Sequence, residues 1–178
     1  MKKIIVDIDN TLWDFASVFY ERIKKVKPDF VPPTGWHTFD FWKAYLTPKE
    51  FYGIIRDIHM DQEKFPPYPQ AEHFLFMLKE SGFHVIIASH REKGTFDVAE
   101  RWLKQNNLIF DELHISHDKT VLFDDCSAIV DDSPITLKKA VKAGIIGVGL
   151  KMPWNEKEDC ILFDDLIETL RYLKKELL

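Results

Sequence analysis

The chain has 178 residues, enough for one domain with a substantial core or a domain carrying a small insert. Hydrophobic residues make up 46% and charged residues 30%, the balance of a water-soluble globular protein rather than a disordered or membrane-spanning one. A net charge of −5 argues against a polymeric nucleic acid as partner but leaves an anionic small molecule open, since a phosphate needs only local cations.

Cys126 and Cys160 are the only cysteines and form no CxxC pair, so reduced thiols and a cytoplasmic setting are expected. Met1-Lys2-Lys3 leads to just three apolar residues before an acid, which is no signal peptide, and no run approaches membrane-spanning length.

Ile4, Ile5 and Val6 form a short apolar run suited to a strand buried on both faces. It ends in Asp7-Ile8-Asp9, with Thr11 close behind. Two carboxylates at a strand's carboxyl end repel each other unless a cation or developing positive charge lies between them. From Trp13 to about Phe65 the texture changes: 13 of the 24 aromatic residues fall here, which marks a helical insert expected to build its own core. Phe15, Phe19, Ile23 and Val26 have helical spacing that Pro28 closes, and Thr47-Pro48-Lys49-Glu50 is a capping-box helix start.

Pro66-Pro67-Tyr68-Pro69 breaks the chain, and a helix over 70–79 ends at Gly82. A second buried strand covers 83–88 and leads to Ser89-His90-Arg91, then a helix from about 95 to 104. His90 is a candidate substrate contact, although exposed charges leading into the next helix are the simpler reading for both His90 and Arg91. Residues 113–115 form a short strand, followed by Asp118-Lys119-Thr120.

Two apolar runs, 121–123 and 128–130, each precede a pair of aspartates. A helix begun at Asp124/Asp125 would run into Pro134, whereas Asp131/Asp132 precede Ser133-Pro134, a natural helix opening that Gly144 closes. The second pair is therefore the chemically placed one, with Asp124 and Asp125 lining a loop nearby. A strand over 145–148 and a helix over 163–177 complete a βα alternation that predicts an α/β doubly wound, mostly parallel Rossmann-like sheet.

Four groups thus follow apolar strands: Asp7/Asp9, Ser89, Lys119 and Asp131/Asp132. Parallel strands deliver such ends to one sheet edge, and a carboxylate nucleophile, an acid/base carboxylate, a hydroxyl, an ammonium and metal-binding acids are what aspartyl-phosphate chemistry uses. The ordered pattern Asp-x-Asp-x-Thr, apolar strand–Ser, Lys, apolar strand–Asp-Asp resembles the four motifs of the haloacid-dehalogenase-like (HAD) phosphohydrolases. Within that superfamily the chain is most similar to the 5′(3′)-deoxyribonucleotidases. The narrower likeness rests on Pro66-Pro-Tyr-Pro-Gln-Ala71, Asp118-Lys119-Thr120 and Val130-Asp-Asp-Ser-Pro134. Motif I reads Asp-Asn-Thr-Leu where those enzymes usually have Asp-Gly-Val-Leu, and the Lys119–Asp131 interval is slightly long for them.

The resemblance implies a HAD core from residues 1–12 and 70–178 and a C1-type helical cap at 13–69, inserted after the first strand. It implies Asp7 as nucleophile and Asp9 as general acid/base, with Thr11, Ser89, His90 and Lys119 on the phosphate or substrate. Mg²⁺ would be held by Asp7, Asp9 through its carbonyl, Asp132 and Asp131. A nucleoside monophosphate is the implied substrate, with Trp13, Phe15, Trp42 and Tyr45 as candidate base platforms. The alternatives are another small ester such as a sugar phosphate, a protein-directed phosphatase of the kind Asp9-Asn-Thr-Leu-Trp13 resembles, and a silent phosphate- or nucleotide-binding protein. A dehalogenase is disfavoured because that branch lacks the second acid supplied by Asp9.

Overall fold

The computed structural model describes the backbone of residues 1–178, and every side chain except that of Lys93. Six strands form one sheet: β1 (Lys3–Val6), β2 (His84–Ser89), β3 (Glu112–Ile115), β4 (Ala128–Val130), β5 (Ile146–Leu150) and β6 (Ile161–Phe163). Their order is β3-β2-β1-β4-β5-β6 and every pairing is parallel. The chain builds outward from β1 to β3, then returns to the other side of β1 through β4. This reversal puts a topological switch point, where open α/β sheets hold their ligands, at the carboxyl ends of β1 and β4.

Beyond Lys3, strand β1 is apolar because both faces are covered. Ile4 and Val6 point into a large cluster with α3 (Ala71–Glu80), α4 (Phe96–Gln105) and α6 (Leu166–Leu177). Ile5 points the other way, into a smaller cluster with Phe123, Cys126 and, on α5 (Pro134–Lys142), Leu137 and Ala140. All three are 0% exposed, so each contributes about 1.5–3 kcal/mol of burial that a polar replacement would forfeit. Glycine is required at Gly149, where an added Cβ would sit 2.1 Å from the carbonyl oxygen of Asp131. The small residue lets β5 lie against the loop carrying the acid pair.

Residues 13–69 contain α1 (Phe15–Lys24), α2 (Pro48–Met60) and three 3₁₀ turns. Asp14 caps α1 by accepting from the Ser17 amide, and Thr47 and Glu50 form the reciprocal capping box at α2. The insert does not have a core of its own. Trp13, Phe19, Phe30, Trp36 and Trp42 belong to the same buried cluster as β1, α3 and α6. Two indole contacts mark the join, Trp13 with Trp102 at 6.2 Å and Trp36 with Trp154 at 6.2 Å between centroids.

Two local expectations change and one run gains its element. Helix α1 stops at Lys24, with the amides of Val26 and Lys27 both turned back to the Ile23 carbonyl and Val26 exposed. The apolar run 121–123 is part of a 3₁₀ turn, Thr120–Asp125. Phe163 ends strand β6, and the last helix starts only at Leu166, after Asp165 caps it through the Glu168 amide at 2.8 Å. Among the described residues no helix is long and apolar enough to cross a membrane.

Candidate active site

Asp7 follows β1 directly, Ser89 closes β2, Lys119 lies four residues after β3, and Asp131/Asp132 follow β4. All five are buried. Asp7, Asp131 and Asp132 present carboxylate oxygens within 4.8 Å of one another. The Lys119 ammonium bridges two of them, 2.5 Å from Asp7 Oδ1 and 2.6 Å from Asp131 Oδ2. Asp131 Oδ1 accepts from the Ser133 amide at 2.9 Å, and Ser133 in turn caps α5. Asp132 is fixed from two sides. Asn10 Nδ2 donates to its Oδ2 at 3.0 Å, while Asn155 Nδ2 donates to its carbonyl and to that of Leu150, each at 2.9 Å.

Asn10 takes the left-handed conformation, φ 56°, in which Asn is among the better-tolerated non-glycine residues. Its Oδ1 accepts from the Ala16 amide at 2.8 Å, so one side chain joins the acid loop to the first turn of α1. This gives the Asn of motif I, a departure from the nucleotidase pattern, a structural task.

Asp9 faces elsewhere. Its carboxylate accepts from Trp13 Nε1 (2.9 Å), Arg91 Nη2 (2.5 Å) and Nε (3.2 Å), and Ser89 Oγ (3.4 Å). His59 Nε2, from the end of α2, lies 3.0 Å from its Oδ2. With Asp9 ionised, that contact requires the proton on Nε2. Arg91 also donates from Nε to Ser89 Oγ at 2.9 Å and from Nη1 to Gln62 Oε1.

These surroundings give two neighbouring acids opposite electrostatics. Burial pushes Asp7 up to about 7; Lys119 opposes the rise, and Asp131 and Asp9 add to it. Burial, then Asp131 and Asp7, also hold Asp132 well above the usual carboxylate range. Burial would raise Asp9 too, but Arg91 and His59 outweigh it and hold the carboxyl well below that range. Burial and Arg91 lower His59. Lys119 stays firmly protonated, since Asp131 and Asp7 outweigh its desolvation.

Fully ionised, the four aspartates would exceed the two permanent cations, Lys119 and Arg91, by two charges in a buried site, and the raised Asp7 and Asp132 express the cost of that excess. That excess, with an all-oxygen donor set on Asp7, Asp131 and Asp132, suits a hard divalent cation such as Mg²⁺.

The expected residues meet in part. Asp7, Lys119, Asp131 and Asp132 converge, while the Ser89 hydroxyl faces Asp9 and Arg91 instead. The Asp9 side chain stands outside the carboxylate trio. Thr11 is 0% exposed and its hydroxyl is buried without a partner. His90 is exposed, its ring 5.5 Å from that of His117. Asp124 and Asp125 do not line this site. Both are exposed, and Asp125 lies 4.0 Å from Lys3, at the opposite end of β1 from Asp7.

Arg91 overturns the expectation of an exposed charge: its side chain is 0% exposed. Its signal was its place two residues beyond Ser89. His59 and Gln62 carried only the weaker mark of polar residues at the buried end of α2.

Comparison with solved structures shows which architectures the fold resembles. The chain superposes on a predicted phosphoglycolate phosphatase from Haemophilus somnus with TM-score 0.65 and 19% identity, over 97% of each chain. The fold is HAD-like. A HAD family hydrolase from Deinococcus radiodurans, with bound phosphate and sodium, matches with TM-score 0.66 and 15% identity over 100% of this chain and 97% of that one. The D,D-heptose 1,7-bisphosphate phosphatase of B. bronchiseptica, complexed with magnesium and phosphate, matches with TM-score 0.59 and 15% identity over 99% of each. No protein-family model matches the chain, and no curated protein matches it. At such identities the HAD-like likeness establishes architecture, and the chemistry has to be argued from the site.

Proposed function

We propose that the chain is a Mg²⁺-dependent hydrolase of small phosphate monoesters that works through an aspartyl-phosphate on Asp7. The observation that carries the reading is the convergence of Asp7, Lys119, Asp131 and Asp132 at the switch point, with Asp9 held apart among cations. In this reading Asp7 attacks phosphorus, and Lys119 and Ser89 hold phosphoryl oxygens. Asp9, ionised in the arrangement described, must first take up a proton from solvent as a cationic neighbour withdraws, and the leaving alkoxide then takes that proton. Asp9 then removes a proton from water, which attacks phosphorus and breaks its bond to Asp7. Mg²⁺ held by Asp7, Asp131 and Asp132 would offset charge on the phosphoryl oxygens. It would also favour ionised Asp7, which burial and the neighbouring acids push up to about 7 against the opposing Lys119.

Residues 13–69 act in this proposal as a C1-type cap over a core of 1–12 and 70–178. A nucleoside monophosphate is the finer substrate reading, supported by the three nucleotidase-like sequence features. A sugar phosphate or similar small ester is the second reading, favoured by how the aromatic residues are used. Trp13 is 1% exposed and stacks on Phe65, and Trp42 is 8% exposed and stacks on Phe51, so neither offers a free face to a base. Phe15, half-buried beside His59, is the remaining candidate next to the site.

The test is a panel of phosphate monoesters with Mg²⁺ and with excess EDTA. Turnover should require Mg²⁺. Full activity in EDTA would overturn the mechanism, and equal turnover of nucleotides and glycerol phosphate would overturn only the nucleotide reading.

A further inference from the structure

Asp9 has no acceptor site to spare. A carboxylate offers about four lone-pair directions, and the Asp9 oxygens already meet Trp13, His59, Ser89 and two nitrogens of Arg91. Before Asp9 can pass a proton to a leaving oxygen or take one from water, at least one donor must withdraw. The donors come from two bodies of structure. Ser89 and Arg91 belong to the end of β2 and the loop after it, whereas Trp13 and His59 belong to the insert.

Arg91 links the two. Its guanidinium is fully buried, forks onto both oxygens of Asp9 through Nη2 and Nε, and donates its third nitrogen to Gln62 of the insert. Gln62 is itself 0% exposed, and its Nε2 has no partner. Orienting that amide to accept from Arg91 therefore leaves a buried donor unsatisfied, which costs free energy that nothing else in its surroundings repays. Neither Arg91 nor Gln62 reaches the carboxylate trio. Such a costly, dry arrangement is more than a surface ion pair, and its geometry converges on one atom group, the Asp9 carboxylate.

We infer that Arg91 is a positioning residue for Asp9, and that Gln62 and His59 make the placement of residues 13–69 govern whether Asp9 is free to serve the leaving group. This rests on the phosphatase reading. It adds that the insert acts on the proton-transfer step as well as covering the site. Asp7 itself is held by Lys119 and touches no residue of the clasp; the two sets share only Ser89, whose hydroxyl accepts from Arg91.

The test measures kcat and KM for an alkyl phosphate, whose leaving group needs a proton, and for p-nitrophenyl phosphate, whose leaving group needs little help. Arg91→Ala should lower kcat for the alkyl ester by roughly 100-fold through misplacement of Asp9. It should lower kcat for p-nitrophenyl phosphate less than about fivefold, because Asp7 does not touch the clasp, and any change in KM passed on through Ser89 should be the same for both esters. Gln62→Leu should shift the same ratio in the same direction by less, and Gln62→Glu, which keeps an acceptor for Arg91, should restore it. The Gln62 pair decides the matter if Arg91→Ala fails to fold. Equal losses on both esters, or a change confined to KM, would overturn the inference while the phosphatase reading stands. Absence of monoester hydrolysis by the wild-type protein with Mg²⁺ would overturn both.

Discussion

Two acids separated by one residue, Asp7 and Asp9, live under opposite rules. Asp7 shares a dry pocket with Asp131 and Asp132 and has Lys119 as its one close cation, so its carboxyl is pushed up to about 7. Asp9 is ringed by Arg91, His59, Trp13 and Ser89 and is held well below the ordinary range. Strand geometry explains the divergence: residues two apart share the same direction only while the strand lasts. The strand ends at Val6, and Asn10 turns left-handed. Asp7 therefore stays with the sheet edge and Asp9 swings toward the insert. The first shares its one cation with Asp131, and the second has Arg91 on both of its oxygens.

The largest effect that would sharpen this contrast is kinetic. Asp7→Asn should abolish turnover of every monoester, a loss of roughly 10⁴-fold or more, because it removes the nucleophile. Asp9→Asn should cost about 10²- to 10³-fold on alkyl phosphates and much less on p-nitrophenyl phosphate. Steady-state assays of both variants on both esters check this, and identical profiles would erase the proposed division.

Stability should move in opposite directions. The folded-state pKa of Asp7 lies above its unfolded value, so ionising it favours unfolding, and the penalty develops as pH rises from about 4 to about 7. In EDTA at pH 8, Asp7→Asn should therefore stabilise the protein by something on the order of 1–3 kcal/mol, a gain that vanishes near pH 4. The depressed pKa of Asp9 works the other way, with stability present above the unfolded value and lost as pH falls toward the folded one. Asp9→Asn leaves Arg91 buried without its counter-charge and should cost roughly 3 kcal/mol at pH 8. Urea denaturation at the two pH values reads both signs.

A smaller effect follows from metal linkage. Mg²⁺ must displace the proton from Asp7, so the rise in Tm on adding Mg²⁺ should be greater at pH 8 than at pH 5.5. A rise that is equal at both pH values, or larger at pH 5.5, would contradict a site built around Asp7. The smallest effect belongs to the acid pair set aside. Asp124→Asn and Asp125→Asn should each change stability by less than about 0.5 kcal/mol and leave turnover intact, both being exposed.

Legibility in the sequence follows the same divide. The trio side could be read because each member sits just past a short apolar run, and because Ser133-Pro134 marks which acid pair opens a helix. The rule that parallel strands end at one edge then brings the residues together without further information. The clasp side depends on contacts across 50 and 82 residues, from His59 and Arg91 to Asp9, that no local pattern encodes. Arg91 looked like an exposed charge because arginine usually is one, and only tertiary structure shows three buried partners for it. The insert's aromatic residues were legible as a core but not as part of the main one, since composition carries no information about which surface a cluster meets. Strand β6 was not legible because its last residue, Phe163, also fits the apolar face of the helix read over 163–177.

The account turns on Asp7 being the residue that takes the phosphoryl group while Asp9 handles protons. Acid-quenched peptide mass spectrometry of the Asp9→Asn protein, mixed with Mg²⁺ and p-nitrophenyl phosphate, tests this most directly. Attack by Asp7 should proceed while hydrolysis of the intermediate is slowed, so the peptide containing residue 7 should carry the added mass of one phosphoryl group, and Asp7→Asn should carry none. Turnover continuing in the Asp9→Asn protein with no phosphoryl group on that peptide, or with the group on another peptide, would contradict the central claim.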